Sequence, residues 1–179
     1  MVTYCLGIES TAHTFGYGIV DDTGIVLANV KDTYSTDEGG LIPMELANHH
    51  VETCKKVVSA AFRQAKLQIT DIDLIAYSAS PGIGHALRIG AMAARSLAAI
   101  HGKPIIGVNH CIAHIEIGRK QTGAKDPVLL YASGANTQII VYDGGRYRIF
   151  GETLDTGVGN LLDSIAREMG LGFPGGPKI

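Results

Sequence analysis

The sequence predicts an α/β fold: an antiparallel three-stranded meander extended by parallel strands, followed by a second start of the same pattern. Three observations carry that expectation. Apolar runs over residues 4–9, 15–20 and 25–30 are separated by polar turns. Helical and strand-like segments then alternate as helix, strand, helix, strand, helix, the pattern of crossover connections. After residue 127 the strand–turn–strand–turn–strand pattern of the opening returns.

The elements follow in order. Residues 4–9 read as a buried strand, and Ser10-Thr11-Ala12-His13 is a polar turn. Residues 15–20 are a second strand, Asp21-Asp22-Thr23-Gly24 a tight turn and 25–30 a third strand. The loop Asp37-Glu38-Gly39-Gly40 leads to Pro43, which suits a helix start. Ala47, Val51, Cys54, Val58, Ala61 and Ala65 recur at alternating steps of four and three, one apolar stripe of an amphipathic helix. Residues 73–78 are a fourth strand. Pro81-Gly82-Ile83-Gly84 opens a helix rich in small residues (Gly90, Ala91, Ala93, Ala94, Ala98, Ala99), able to lie close to a neighbour. Residues 104–108 read as a buried fifth strand, and Asn109 is placed to cap the helix that begins at His110.

The second start runs through a strand at 128–131, the polar turn Ser133-Gly134-Ala135-Asn136, a strand at 137–142, the turn Asp143-Gly144-Gly145 and a strand at 146–152. A helix over 158–169 carries Asp163. This is the ribonuclease H-like layout, the unit used twice in the actin, Hsp70 and sugar-kinase class of ATPase fold. The expected organisation is a first lobe over 1–122 and the beginning of a second, incomplete lobe over 123–179. In that class two polar turns face each other across a cleft and hold nucleotide phosphates, because amides at a glycine turn reach phosphate oxygens unhindered. Each turn on its own is also what an ordinary hairpin requires.

Composition narrows the function. The chain has 179 residues, 46% hydrophobic and 18% charged, enough for a sizeable core. Fifteen Lys and Arg against seventeen Asp and Glu give a net charge of −2, which excludes a generally basic nucleic-acid wrapper. Cys5, Cys54 and Cys111 form no C-x-x-C pair and suit a reducing compartment. Arg88 and Arg95 interrupt the most apolar helix, and the first residues show no signal-peptide core, so a soluble cytoplasmic protein without a membrane partner is expected.

The candidate chemistry centres on His110 and His114. Four residues apart on a helix, they stack on one face and can hold one divalent metal between them, although a surface pair has the same spacing. Tyr131, at the end of a strand, lies just before the Ser133 turn. Glu9 and His13 flank the first turn and are candidate bases, each with an ordinary structural alternative as a turn carboxylate or an exposed loop histidine. Adjacent helical side chains diverge, so His49 and His50 cannot join one site and read as structural or surface residues. Asp155 reads as a nucleotide-proximal or a turn residue.

Six segments stand in order along the chain: Gly7-Ile8-Glu9-Ser10-Thr11-Ala12-His13-Thr14, Pro81-Gly82-Ile83-Gly84, Asn109 through His114, Ser133-Gly134-Ala135-Asn136-Thr137-Gln138, Glu152-Thr153-Leu154-Asp155 and Pro174-Gly175-Gly176-Pro177. Together they closely resemble the universal tRNA threonylcarbamoyladenosine synthesis proteins, in particular the archaeal and eukaryotic type, the catalytic subunit of the KEOPS complex. The resemblance runs over essentially the whole chain. It departs at Ala135, where many relatives carry a second glycine, and at the end, because family members continue well beyond Pro177.

The resemblance implies a transferase that moves a threonylcarbamoyl group from its adenylate to N6 of adenosine 37 in tRNAs reading ANN codons. It implies iron or zinc on His110, His114 and Tyr131, with an aspartate of the second lobe that has no counterpart here. It places an adenine nucleotide, threonylcarbamoyl-adenylate or ATP, on Tyr131, Ala132, Ser133, Gly134, Ala135, Asp163 and Gly176. The implied partners are tRNA and the KEOPS subunits, including a small protein kinase-like one. On this reading the 179-residue chain by itself is expected to be inactive and to dimerise or aggregate through the uncovered edge of its second sheet. The rival is a non-catalytic dimerisation module of the same fold, which would have no need of the two histidines. A metallopeptidase is discounted, because Cys111 stands where H-E-x-x-H requires glutamate.

Overall fold

A three-stranded meander opens the chain in the computed structural model, which describes residues 2–35, 41–172 and 174–179. Its strands are β1 (Tyr4–Glu9), β2 (Thr14–Asp21) and β3 (Val26–Thr33). Period-two alternation sends Leu6 and Ile8 of β1 and Phe15, Tyr17 and Ile19 of β2 into the core, with Leu6 opposite Ile19 and Ile8 opposite Tyr17. Asp21 closes the second hairpin. Its Oδ1 accepts from the N–H of Thr23 and of Ile25, both at 2.9 Å, while Gly24 takes a φ of +79°. The expected loop at residues 37–40 lies outside the described residues.

Helix α1 (Pro43–Ala65) begins on its proline and ends where Lys66 turns left-handed at φ 56°. Its buried seam is Leu46, Ala47, His50, Val57 and Ala61. The expected stripe holds except at one position: Ala47 and Ala61 are buried and Cys54, Val58 and Ala65 pack against the core. Val51 is 59% exposed, and His50 takes the inward position a turn before Cys54. The apolar count missed His50 because it skips a polar residue that the core accepts.

Strand β4 (Leu74–Ser80) adds parallel to β1, and β5 (Ile105–Asn109) adds parallel to β4, giving the order β3-β2-β1-β4-β5. Between them runs α2 (Gly84–His101), whose buried residues Ala86, Gly90, Ala94 and Ala98 fall every fourth position. That file of small side chains lets the helix settle on β1 and β4. The expectation of a buried fifth strand is corrected. β5 is the edge of the sheet, with Ile105 and Ile106 exposed by 40% and 50%, and an apolar run alone does not distinguish an edge from a centre.

After α3 (His110–Thr122) a separate antiparallel sheet forms from β6 (Leu129–Ala132), β7 (Thr137–Asp143) and β8 (Arg146–Glu152) in the order β6-β7-β8. Helix α4 (Val158–Glu168) and a short 3-10 turn, Gly176–Lys178, follow. The repeat is visible in detail, since the second and third strands of each meander slip register, at Ile19/Val20 and at Ile139/Ile140. Contacts divide the chain at the head of α3. One unit contains Leu41–His110 with the chain up to Ser35, and the other contains Cys111–Ile179. Among the described residues no helix is long and apolar enough to cross a membrane.

Candidate functional site

The first unit gathers its candidate residues around the end of β1. Glu9 is the last residue of that strand, and its carboxylate is the hub of a small polar cluster. Oε1 accepts from the Thr11 backbone N–H at 2.7 Å and from the Thr11 hydroxyl. Oε2 accepts from the Ser78 hydroxyl on β4, and His110 Nδ1 lies 3.2 Å away. Nδ1 also lies 3.4 Å from Thr11 Oγ1. Burial would raise the pKa of Glu9, but hydrogen bonds with His110, Ser78 and Thr11 outweigh it and hold the group down at about 2. A carboxylate held that low is a weak proton acceptor, which favours an orienting role over that of a base.

The loop after Glu9 is fixed from several sides. Ile83 N–H donates to Thr11 O at 2.7 Å, and the Tyr34 N–H to His13 O at 2.8 Å. His50 Nε2 lies 2.9 Å from Ala12 O and donates to it from below, out of the buried face of α1. Gly82 is pressed so closely on Thr11 that a β-carbon there would meet the Thr11 carbonyl oxygen at 2.6 Å. Ser10 is buried under α2, whereas His13 is exposed at the loop's outer end. His49 Nε2 lies 3.2 Å from Asp32 Oδ1 while His50 serves the loop, and the two rings meet edge-on at 5.7 Å.

Helix α3 starts at His110, directly after β5, and His114 follows one turn later. In the second unit the His114 ring lies 5.5 Å from the Tyr131 ring on β6. Among the described residues no group of three or more His, Cys, Asp and Glu is arranged to hold a metal. By type, imidazole and phenol are borderline nitrogen and oxygen donors of the kind zinc and iron take.

The second polar turn is closed by its own residues. Ser133 N–H donates to Asn136 O at 3.1 Å, and the Ser133 hydroxyl to the same oxygen at 2.8 Å. The first amides of α4 are spent on this turn and on β7. Val158 N–H donates to Thr137 Oγ1 at 2.9 Å, Gly159 N–H to Ser133 O at 3.0 Å and Asn160 N–H to Gly134 O at 3.2 Å. Gly134 and Ala135 form the exposed tip, and among the described residues neither the turn nor α4 takes up their amides. Ala132, just before the turn, is exposed as well. Asp163 Oδ1 accepts from Gly175 N–H at 2.7 Å and from Gly176 N–H at 3.4 Å, so Asp163 and Gly176 are brought together. Asp155 accepts from the next residue's N–H at 2.7 Å, the bond of a local turn. A hollow of about 490 Å³ beside Arg119, Lys125, Tyr142 and Tyr147 takes in none of these residues.

Sequence reasoning missed Ser78, Thr11 and Thr137 as organisers of the site. Ser78 lies 69 positions from its carboxylate, and no local signal marks it. Thr137 lies 21 positions from the Val158 amide it accepts from, and no local signal marks it either.

Comparison with known proteins places these residues in context. The family model TsaD, tRNA N6-adenosine threonylcarbamoyltransferase, matches residues 25–179. The "tRNA N6-adenosine threonylcarbamoyltransferase" of Thermococcus sibiricus is 58% identical over 174 residues, 97% of this chain and 53% of that protein. A "Probable bifunctional tRNA threonylcarbamoyladenosine biosynthesis protein" of Thermoplasma acidophilum is 53% identical, covering 97% of this chain and 33% of that one. The chain thus spans about half, or less, of the length of the curated relatives it matches. Among solved structures, YeaZ from Pseudomonas aeruginosa superposes with a TM-score of 0.59 at 16% identity, over 84% of this chain and 66% of that one, a likeness of fold. The architecture is that of the actin, Hsp70 and sugar-kinase class, as the strand order led one to expect.

Proposed function

The chain belongs to the tRNA N6-adenosine threonylcarbamoyltransferase family, and from that premise we propose that its protein transfers a threonylcarbamoyl group from threonylcarbamoyl-adenylate to N6 of adenosine 37 in tRNAs reading ANN codons. The observation that carries the reading is the family match across residues 25–179, within which His110 and His114 stand one turn apart on α3.

In this acyl transfer the N6–carbamoyl carbon bond forms, the acyl–phosphate oxygen bond breaks, AMP leaves and the amine gives up a proton. His110, His114 and Tyr131 would hold the divalent metal, iron or zinc, which when bound supplies Lewis-acid polarisation of the carbonyl. The exposed amides of Gly134 and Ala135 bind the phosphate, whose negative charge grows as the adenylate bond breaks. The methyl of Ala135 narrows the turn without removing its amide. Tyr131, Ala132 and Ser133 border the nucleotide, and Asp163 with Gly176 takes its ribose end, ordered by the bonds between them. Glu9 is too weak a base to take the amine's proton, so of the two first-loop candidates that role falls to His13.

The partners are tRNA and the KEOPS subunits, among them the small kinase-like protein, in the cytoplasm. The word "bifunctional" in the Thermoplasma acidophilum protein's name, where this chain matches one third of the length, supports a second activity working beside this one. The test is transfer of labelled threonylcarbamate to ANN-reading tRNA with partner subunits supplied. Transfer should fall at least a hundredfold in His110→Ala and in His114→Ala. Undiminished transfer in both variants would remove the two histidines from the mechanism.

A further inference from the structure

We propose that Glu9 is a positioning residue for His110: its carboxylate, fixed by Ser78 and Thr11, holds the imidazole in the tautomer with its hydrogen on Nδ1 and so puts the ring's lone pair on Nε2. The inference rests on the metal-centre reading for its purpose, and on the geometry of the first unit alone for its content.

Proton counting around Nδ1 leads there. Two of its neighbours are Glu9 Oε2 at 3.2 Å and Thr11 Oγ1 at 3.4 Å. The Thr11 hydroxyl has one proton, and it is given to Glu9 Oε1, the closer partner. Toward His110 that hydroxyl oxygen can then only accept. Glu9 Oε2 receives the Ser78 hydroxyl proton and likewise faces Nδ1 as an acceptor. Both of these neighbours are therefore acceptors, and toward them Nδ1 must be the donor. A neutral imidazole with Nδ1–H carries its lone pair on Nε2, the nitrogen such a ring offers to a metal.

Rigidity adds to the effect. Thr11 cannot drift, because its carbonyl accepts from Ile83 N–H and Gly82 leaves no room beside it. Ser78 is fixed by the pairing of β4 with β5, which delivers the chain to His110 itself. The carboxylate, the two hydroxyls and the imidazole thus come from three adjacent strands of one sheet and the residues directly following them.

The tautomer can be read directly from the 15N shifts of the His110 ring in metal-free protein, taken on their alkaline plateau, with His110→Asn used to assign the signals. The wild type should show a protonated Nδ1 and an unprotonated Nε2. In Glu9→Gln the carboxamide can present its N–H₂ to Nδ1, so the population should move toward Nε2–H. Zinc affinity, measured by competition with a chelating dye, should drop about 10- to 100-fold, the usual cost of losing an outer-shell partner. A wild type with Nε2–H, or a Glu9→Gln protein with unchanged tautomer and zinc affinity, would overturn the proposal. Should Glu9→Gln not fold, the wild-type tautomer still decides it. A wild type with Nδ1–H that takes up no zinc would sink the metal reading and leave the positioning role intact.

Discussion

Gly90 of α2 lies directly over Ser10, so closely that a β-carbon at position 90 would overlap the Ser10 hydroxyl. That hydroxyl is buried and, among the described residues, has no hydrogen-bond partner. The absence of a side chain at position 90 therefore sets how near α2 comes to the loop after Glu9. Gly90→Ala must push the helix and loop apart and should cost about 1–3 kcal/mol, the usual range for overpacking a tight contact. Ser10→Ala removes an unsatisfied group and should be near neutral. The double variant should recover part of the loss. Urea denaturation of the three variants measures the coupling, and strictly additive effects would mean the contact is not the cause.

His50 predicts a pH dependence of stability. It is fully buried, with Nε2–H donating to Ala12 O and, among the described residues, no hydrogen-bond partner for Nδ1. Burial lowers its pKa from 6.5, and the bond to the Ala12 carbonyl only partly offsets that. The unfolded chain therefore binds a proton more readily than the folded one. Stability from this residue is complete above pH 6.5 and is lost as pH falls through the lower folded value. Glu9 acts in a separate, lower window, from 4.5 down to about 2. His50→Gln keeps an N–H for Ala12 and does not titrate, so its melting temperature should fall less than that of the wild type between about pH 7 and pH 5. Parallel curves for the two proteins would refute the assignment.

Asp163 ties α4 to the end of the described chain through Gly175 and Gly176. Asp163→Ala deletes the oxygen that accepts both bonds and should raise amide exchange at residues 174–179 by roughly tenfold, the loss of about 1–1.5 kcal/mol of local hydrogen bonding. Asp163→Asn retains a carbonyl oxygen at the same place and should exchange almost as slowly as the wild type. Hydrogen-exchange mass spectrometry separates the two, and equal protection in the alanine variant would show that other contacts hold the segment.

The order of elements was legible because hairpins and crossovers leave local marks. The turns at Asp21 and Gly144 and the small-residue file on α2 can all be read from neighbouring residues. What stayed hidden depends on distance along the chain. Nothing near His50 says that its ring is buried to serve the Ala12 carbonyl, and nothing near Ser78 says that it meets Glu9. The exposure of β5 follows from which strands fail to pair with it, a property of the whole sheet. The histidine spacing on α3 was readable, but the contact between His110 and the Glu9 carboxylate, 101 positions apart, was not.

The entry of α4 into the Ser133 turn sets up a contrast between two glycines. At Gly157 a β-carbon would stand 2.5 Å from Asn136 N and 2.6 Å from Gly134 O, so a side chain there must lift the helix start off the turn. The bonds from Val158 N–H to Thr137 Oγ1 and from Gly159 N–H to Ser133 O would stretch with it. At Gly118, inside α3, a β-carbon would meet nothing within 4 Å. Gly118→Ala should therefore stabilise the protein by about 0.5–1 kcal/mol, the helical gain of alanine over glycine. Gly157→Ala should destabilise it by about 1–3 kcal/mol. If the tip amides of Gly134 and Ala135 bind phosphate, Gly157→Ala should also weaken AMP binding more than tenfold at a temperature where the variant is still folded, while Gly118→Ala leaves it unchanged. Isothermal titration with AMP, paired with thermal melts, reads both quantities. AMP affinity that is indifferent to Gly157→Ala would dissociate the turn from the nucleotide, even with the stability difference as expected.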